Sequence, residues 1–270
     1  MKKYPIVLTI AGSDSVGGAG IQADIKAISA TGSYAASAIT AITVQNTVGV
    51  SAVHPVPIDI ITGQIKAVVS DIGVDAVKIG MLNSPEVVRA VAGSLRELGI
   101  TNVVLDPVMV ATSGDRLLEE SAIEVLRSEL LPMARVITPN IPEAEILCGR
   151  RISSGAQLPE IARELSLGGR MSVLMKAGHL EGEDQLTDIF YNAESGQFLP
   201  LRSLRVHTPN THGTGCTLSS ALASFLAQGL DLDSAAAAAH KYLAEAIIDG
   251  SRYDIGHGHG PVNHFYKLTS

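Results

Sequence analysis

Asn102-Val103-Val104-Leu105-Asp106-Pro107 sets the frame: three branched apolar residues in a row run into an Asp-Pro pair, which stops an extended segment and starts a turn. A strand without polar alternation is buried on both faces, the habit of parallel sheets covered by helices on either side. Working outward, residues 6–10, 38–44, 76–79, 136–137 and 172–175 read as further strands of the same β-branched character. Helical patterns separate them. Residues 21–28 place apolar side chains three and four apart and stop at Gly32, while Pro85 opens a helix capped by Ser84 and ended near Gly99.

The rhythm changes at residues 186–191, then 192–196, then 197–199, which read as a hairpin with its turn residues in the middle. Two helices close the chain, one over 213–228 and one through the alanine run at 235–239 toward Ile248. The pattern predicts an α/β fold: an open, doubly wound, mostly parallel sheet with helices on both faces and an antiparallel edge hairpin. A (β/α)₈ barrel is the rival, but the hairpin and the terminal helix pair fit its regular repeat poorly. No repeat, low-complexity tract or linker divides residues 1–270, so one domain is expected.

Composition narrows function. The 270 residues are 46% hydrophobic and 17% charged, enough apolar material for one large core. A net charge of -7 argues against nucleic-acid binding, which needs basic residues massed on one face. Cys148 and Cys216 are far apart and form neither a disulfide framework nor a zinc motif, so a reducing, cytoplasmic setting is expected. Lys2 and Lys3 ahead of the apolar residues 6–11 have the outline of a secretory leader, but the run is short and leads into Gly12-Ser13-Asp14-Ser15, which suits a buried first strand better. No apolar run reaches the ~18 residues that span a bilayer, so a soluble protein is expected.

In open α/β sheets ligands bind beyond the carboxyl ends of the strands. Polar or glycine-rich residues follow nearly every strand here: Gly12-Ser13-Asp14, Gln45-Asn46-Thr47, Gly80-Met81-Leu82-Asn83, Asp106-Pro107, Thr138-Pro139-Asn140 and Lys176-Ala177-Gly178-His179. Each alone is ordinary turn chemistry; their co-occurrence is the stronger signal. Gly18-Ala19-Gly20-Ile21-Gln22-Ala23 matches the dinucleotide fingerprint, yet the next strand ends in Val44-Gln45-Asn46 without the acidic residue that would hold a ribose.

The strongest single motif is Thr211-His212-Gly213-Thr214-Gly215-Cys216-Thr217 leading into a helix. Its glycines leave backbone N–H groups open to an anion, the helix dipole adds partial positive charge there, and the same place should lower the thiol pKa of Cys216. The motif is equally compatible with a plain helix cap and a packed cysteine. Asp106, and Asn140 with Glu143 three residues on, offer oxygen ligands that suit Mg²⁺ through its waters, although Asn140 and Glu143 also fit a capping box. Lys176 could reach a phosphate. No P-loop pattern exists, so that route to ATP is closed. His257-Gly258-His259 lacks the further ligands of a zinc site; a C-terminal loop packed on the nucleotide side is expected there.

Taken together, Ala11-Gly12-Ser13-Asp14, Gly17-Gly18-Ala19-Gly20-Ile21-Gln22-Ala23-Asp24, Lys78-Ile79-Gly80-Met81-Leu82, Leu105-Asp106-Pro107-Val108-Met109, Thr138-Pro139-Asn140-Ile141-Pro142-Glu143-Ala144, the 211–216 motif and Gly256-His257-Gly258-His259-Gly260-Pro261 closely resemble the hydroxymethylpyrimidine/phosphomethylpyrimidine kinases of thiamine biosynthesis, members of the ribokinase-like superfamily. The resemblance spans nearly the whole chain; Val16 departs from it, standing where the first glycine loop usually has a smaller residue. It implies ATP and Mg²⁺ as cofactors, a hydroxymethylpyrimidine and its monophosphate as substrates, and a homodimer, with pyridoxal kinase as the alternative of the same fold. Cys216 would be the base, and the N–H groups of Gly213, Thr214 and Gly215 the anion hole. Asp106, Asn140, Glu143, Lys176 and His212 would attend the phosphates, Asp106 and Glu143 also the Mg²⁺. Gly12, Asp24, Gln45, Met81 and Val108 would line the pyrimidine.

Overall fold

The computed structural model describes residues 3–109, 118–178 and 185–269; His179, quoted above among the strand-end residues, and Lys2 lie outside them. All nine strands among the described residues form one sheet in the order β3-β2-β1-β4-β5-β6-β7-β8-β9. They are β1 (Ile6–Asp14), β2 (Tyr34–Gln45), β3 (Val50–Pro55), β4 (Ala76–Ile79), β5 (Val103–Leu105), β6 (Val136–Ile137), β7 (Ser172–Met175), β8 (Gln185–Asn192) and β9 (Gln197–Leu204). Pairing from β2 through β7 is parallel, and β8 and β9 make the expected antiparallel hairpin.

Two features of the sheet go beyond the sequence expectation. β2 starts at Tyr34 rather than 38, because Tyr34-Ala35-Ala36-Ser37 carries little strand character of its own and is held by pairing with β1. β3 adds a second antiparallel edge on the opposite side of the sheet. Its residues are almost all exposed, so it lacks the two-sided apolar signature that marked the interior strands.

Helices α1 (Gly20–Ala30), α7 (Thr214–Ala227) and α8 (Leu232–Gly250) cover one face; α2 (Ile58–Asp71), α3 (Pro85–Glu97), α4 (Glu120–Val125), α5 (Ile141–Cys148) and α6 (Leu158–Leu165) cover the other, and the short α9 (Tyr266–Thr269) ends the described chain. Strand periodicity sorts the core accordingly. Leu8, Ile10, Val77, Ile79, Val103, Leu105, Val173 and Met175 pack under the α2–α6 layer, while Val7, Ala76, Val104, Val136 and Leu174 pack under α1, α7 and α8. By the same alternation Thr9 and Lys78 face the α1/α7 side, and that sets up the site.

The helix ends follow local chemistry. Ser84 Oγ accepts the Val87 N–H, Pro85 takes the first helical position of α3, and Asp231 caps α8 by accepting the Ser234 N–H at 2.8 Å. α7 is capped instead by Gly213 in the left-handed region, φ 78°. The winding reverses between β1 and β4, so the carboxyl ends of β1, β4 and β5 open on a crevice at the switch point.

Candidate active site

A cavity of about 520 Å³ occupies that crevice, floored by Ala11 to Asp14, Lys78, Asp106 and Cys216. Two glycine loops form its rim. In the first, the Asp14 carboxylate accepts the backbone N–H groups of Val16 (3.0 Å), Gly18 (3.0 Å) and Ala19 (2.8 Å), and its Oδ2 lies 2.9 Å from His212 Nε2 in the second loop. Burial raises the Asp14 pKa, but those hydrogen bonds and His212 outweigh it and hold the carboxyl below its ordinary value. Gln22 fastens the same loop, accepting the Asp14 N–H at 2.8 Å and donating to Ser13 Oγ at 2.8 Å.

Close approach explains the glycines. A Cβ on Gly213 would sit 1.8 Å from Gly18 O, and one on Gly18 would sit 2.4 Å from the His212 ring. The apparent dinucleotide fingerprint is therefore the surface on which the 211–216 loop seats. His212 lines the cavity as expected, but its Nε2 is taken by Asp14 and its backbone N–H by Gly260 O at 3.0 Å, so it joins loops rather than reaching out to a phosphate.

Cys216 stands on the first turn of α7, whose first intrahelical bond is Thr217 N–H to Gly213 O at 2.9 Å. The preceding N–H groups, Gly213 to Gly215 among them, belong to the unpaired helix terminus at the cavity; that of Thr214 makes only a 3.4 Å contact with Thr211 O. The expectation of a lowered thiol pKa is overturned. Burial pushes Cys216 up to about 11, and Asp24 and Asp106 add to that against Lys78 and the Gly20 N–H. A helix terminus supplies a fraction of a charge, which desolvation and two carboxylates exceed here.

Asp24 is also corrected. It does not line the cavity: it is fully buried beneath it, accepting from Thr9 Oγ1 at 2.5 Å and Ser220 Oγ at 2.7 Å and paired with Lys78 Nζ at 2.8 Å. Both its oxygens are occupied, so no ring can use them. Lys78 is equally buried yet reaches the cavity floor; burial would lower its pKa, and Asp24 foremost keeps it raised and charged. Ser220 lies one helical turn beyond Cys216, so the pair anchors the helix that carries the thiol.

Asp106, also on the floor, accepts from Thr138 Oγ1 at 3.0 Å and from Lys176 Nζ at 3.0 Å, with Ser219 Oγ of α7 3.3 Å away. Lys176 Nζ is also 3.8 Å from Glu143, so this half-buried lysine is a counter-ion to both carboxylates. Asn140 and Glu143 do form a capping box, with reciprocal bonds of 2.9 and 2.8 Å, and at the same time both line the cavity. Burial raises the Asp106 pKa, but Lys176 and Lys78 outweigh it and hold the carboxyl low; burial, with Asp106 adding, pushes Glu143 up to about 7 against Lys176. Gly215 leaves room for this cluster: a Cβ there would be 3.2 Å from Lys176 Nζ and 3.4 Å from Asp106 Oδ2.

Two carboxylates sharing Lys176, one of them short of positive charge, fit Mg²⁺ held mostly by water and phosphate oxygens. Among the described residues no three His, Cys, Asp or Glu side chains gather into a protein-only metal cage.

The remaining expected residues line the cavity too. Gly12 packs against Met81, whose Cε would lie 2.9 Å from a Cβ there, and Gln45 and Val108 line the same cavity. Apolar side chains of β8, β9 and α8, Leu186, Leu204, Leu243 and Ile247 among them, line it as well. Sequence reasoning did not single out Asp188, which accepts the Ala177 N–H at 2.7 Å and lies 3.8 Å from His240 at the cavity edge. The 257–259 loop packs on the segment after β2: Thr47 Oγ1 accepts the N–H groups of His257 and Gly258, and Thr47 O accepts that of His259.

Comparison with known proteins adds to this geometry. Residues 14–263 match the family model described as phosphomethylpyrimidine kinase. A hydroxymethylpyrimidine/phosphomethylpyrimidine kinase of Rhizobium meliloti is 50% identical over 97% of each chain. The crystal structure of phosphomethylpyrimidine kinase from Clostridium difficile is 44% identical, TM-score 0.79, over 90% of this chain and 99% of that one. An ADP complex of Bacillus subtilis pyridoxal kinase is 34% identical, TM-score 0.90, over 99% and 100%.

Proposed function

The chain belongs to the phosphomethylpyrimidine kinase family, and from that premise we propose that it transfers the γ-phosphoryl group of ATP to the hydroxymethyl group of an aminopyrimidine and then to the resulting monophosphate, in thiamine biosynthesis. One observation carries this reading. Cys216, the unpaired N-terminus of α7 and the Lys176–Asp106–Glu143 cluster meet in a single cavity whose other wall presents Gln45.

The hydroxymethyl oxygen, seated beside Cys216, gives its proton to the thiolate sulfur, which has first lost its own proton to solvent, as the new O–P bond forms and the bond from the γ-phosphorus to the leaving ADP oxygen breaks. Burial pushes the thiol up to about 11, so at neutral pH only a small fraction is ionised, and that fraction is a strong base. The N–H groups of Gly213, Thr214 and Gly215 receive the transferring phosphoryl oxygens, and Lys176 neutralises the triphosphate. Asp106 and Glu143 would hold Mg²⁺ through water, and the ion would draw charge from the phosphate oxygens. The ring rests between Met81 and Val108 with Gly12 beneath it, its polar edge toward Gln45, while the apolar side chains of β8, β9 and α8 suit adenine.

Pyridoxal phosphorylation is the second reading, favoured by the likeness to pyridoxal kinase. Residues 1–270 act as one domain in this proposal. A homodimer would cover Ile42, Val44, Val48 and Val53 at the β2–β3 edge, which are 50, 59, 64 and 40% exposed. No described helix is long and apolar enough to cross a membrane, and we place the enzyme in the cytoplasm. A coupled ADP-release assay tests the reaction class: ATP is consumed only when a hydroxymethyl heteroaromatic is present, and ATP loss indifferent to every such compound would end the kinase reading.

A further inference from the structure

Gln45 is read above as the group that meets the ring, and its amide has two faces of opposite chemistry. Which one points into the cavity is settled by a neighbour. Thr43, 5% exposed on β2, has its Oγ1 2.9 Å from the carbonyl oxygen of Ser13 and 3.1 Å from Gln45 Oε1. A threonine hydroxyl carries one proton, and a carbonyl oxygen can only accept. If the proton went to Gln45, the Ser13 and Thr43 oxygens would face each other at 2.9 Å with nothing between them. Ser13 O is fixed by the strand and cannot turn away, whereas the Gln45 amide can exchange its oxygen and nitrogen by rotation without changing shape. The arrangement free of repulsion therefore gives the proton to Ser13 and turns Gln45 Nε2 toward Thr43. That leaves Gln45 Oε1, with the second N–H beside it, for the cavity that Gln45 lines.

We propose that Thr43 is a positioning residue for specificity: it holds the Gln45 amide oxygen toward the substrate, so that the pocket selects a ring edge bearing an N–H donor next to an acceptor, as an aminopyrimidine does. A ring that presents an oxygen acceptor at that edge meets lone pair against lone pair, and a polar group built for one partner rejects the other. The inference rests on the reading that Gln45 contacts the ring, and the test separates the two.

Measure kcat/KM for hydroxymethylpyrimidine and for pyridoxal in Thr43→Val, Thr43→Ser and Gln45→Leu. Thr43→Val keeps the shape and deletes the hydroxyl, which frees the amide to turn. The pyrimidine-to-pyridoxal ratio should fall about ten-fold, the scale of one buried hydrogen bond misdirected, and Thr43→Ser should restore it to within about two-fold. Should the valine variant fold poorly, Thr43→Ala serves in its place, with the same expected change in ratio. Thr43→Val slowing both substrates equally, or leaving the ratio intact while Gln45→Leu collapses it, overturns the role of Thr43 alone. A ratio unmoved in all three variants overturns the Gln45 reading and this inference together.

Discussion

Lys78→Met tests how the floor of the site is held. Lys78 and Asp24 are both fully buried and bonded at 2.8 and 3.0 Å, on the sheet face that packs against α1 and α7. Removing the ammonium leaves a buried carboxylate without a cation, which ordinarily costs about 3–5 kcal/mol. Thr9 and Ser220 still donate to Asp24 at 2.5 and 2.7 Å, so the lower end of that range, about 3 kcal/mol, is expected. For a chain of this size that is a fall in Tm of roughly 5 °C. Adding Asp24→Asn removes the stranded charge while keeping an acceptor for a hydroxyl, so the double variant should recover most of the loss. Thermal scans of the two single variants and the double variant give the coupling. A double variant as unstable as the sum of the singles would refute the ion pair as the source of the cost.

Cys216→Ala should keep the fold and ATP affinity while lowering turnover by roughly 10²-fold or more, the scale of a lost general base; full activity would reduce Cys216 to a packing residue. Because the thiol is held at about 11 and only the ionised form accepts a proton, kcat/KM should climb from about pH 7 to about pH 10, and a plateau below about pH 9 would contradict the raised value. Gly213→Ala places a Cβ 1.8 Å from Gly18 O at φ 78°; it should shift the loop enough to cost about 10²-fold in kcat, and wild-type kcat would show that the loop tolerates displacement. Asp106→Asn should raise the Mg²⁺ midpoint about ten-fold, an unchanged Mg²⁺ titration removing Asp106 from the site.

The parts legible in the sequence were those decided by short-range pattern. Interior strands such as Val103–Leu105 declare two-sided burial by composition, and the 185–204 hairpin declares itself by turn residues between alternating runs. Lys78 and Asp24 carried a signal that pattern alone could not complete. Lys78 interrupts an apolar strand, and Asp24 lies three and four residues from Ile21 and Ile28 on the buried stripe of α1, so both positions point inward. Their partnership joins residues 54 apart, and the tie from Asp24 to Ser220 spans 196. Such meetings depend on tertiary approach, not local period. The thiol pKa of Cys216 failed for a related reason: the helix terminus is written in the sequence, but the desolvation and the two carboxylates that outweigh it come from the assembled sheet and helices. β3 escaped notice because an exposed edge strand has no apolar period to read.

The reaction itself is tested most directly by incubating the purified protein with ATP and Mg²⁺ and either hydroxymethylpyrimidine or pyridoxal, and following products by mass spectrometry over time. The pyrimidine monophosphate should form first and faster than pyridoxal phosphate, then give way to the pyrimidine pyrophosphate as the monophosphate re-enters the cavity beside Cys216. Pyridoxal phosphate forming fastest, with no pyrimidine pyrophosphate at long times, would contradict the assignment.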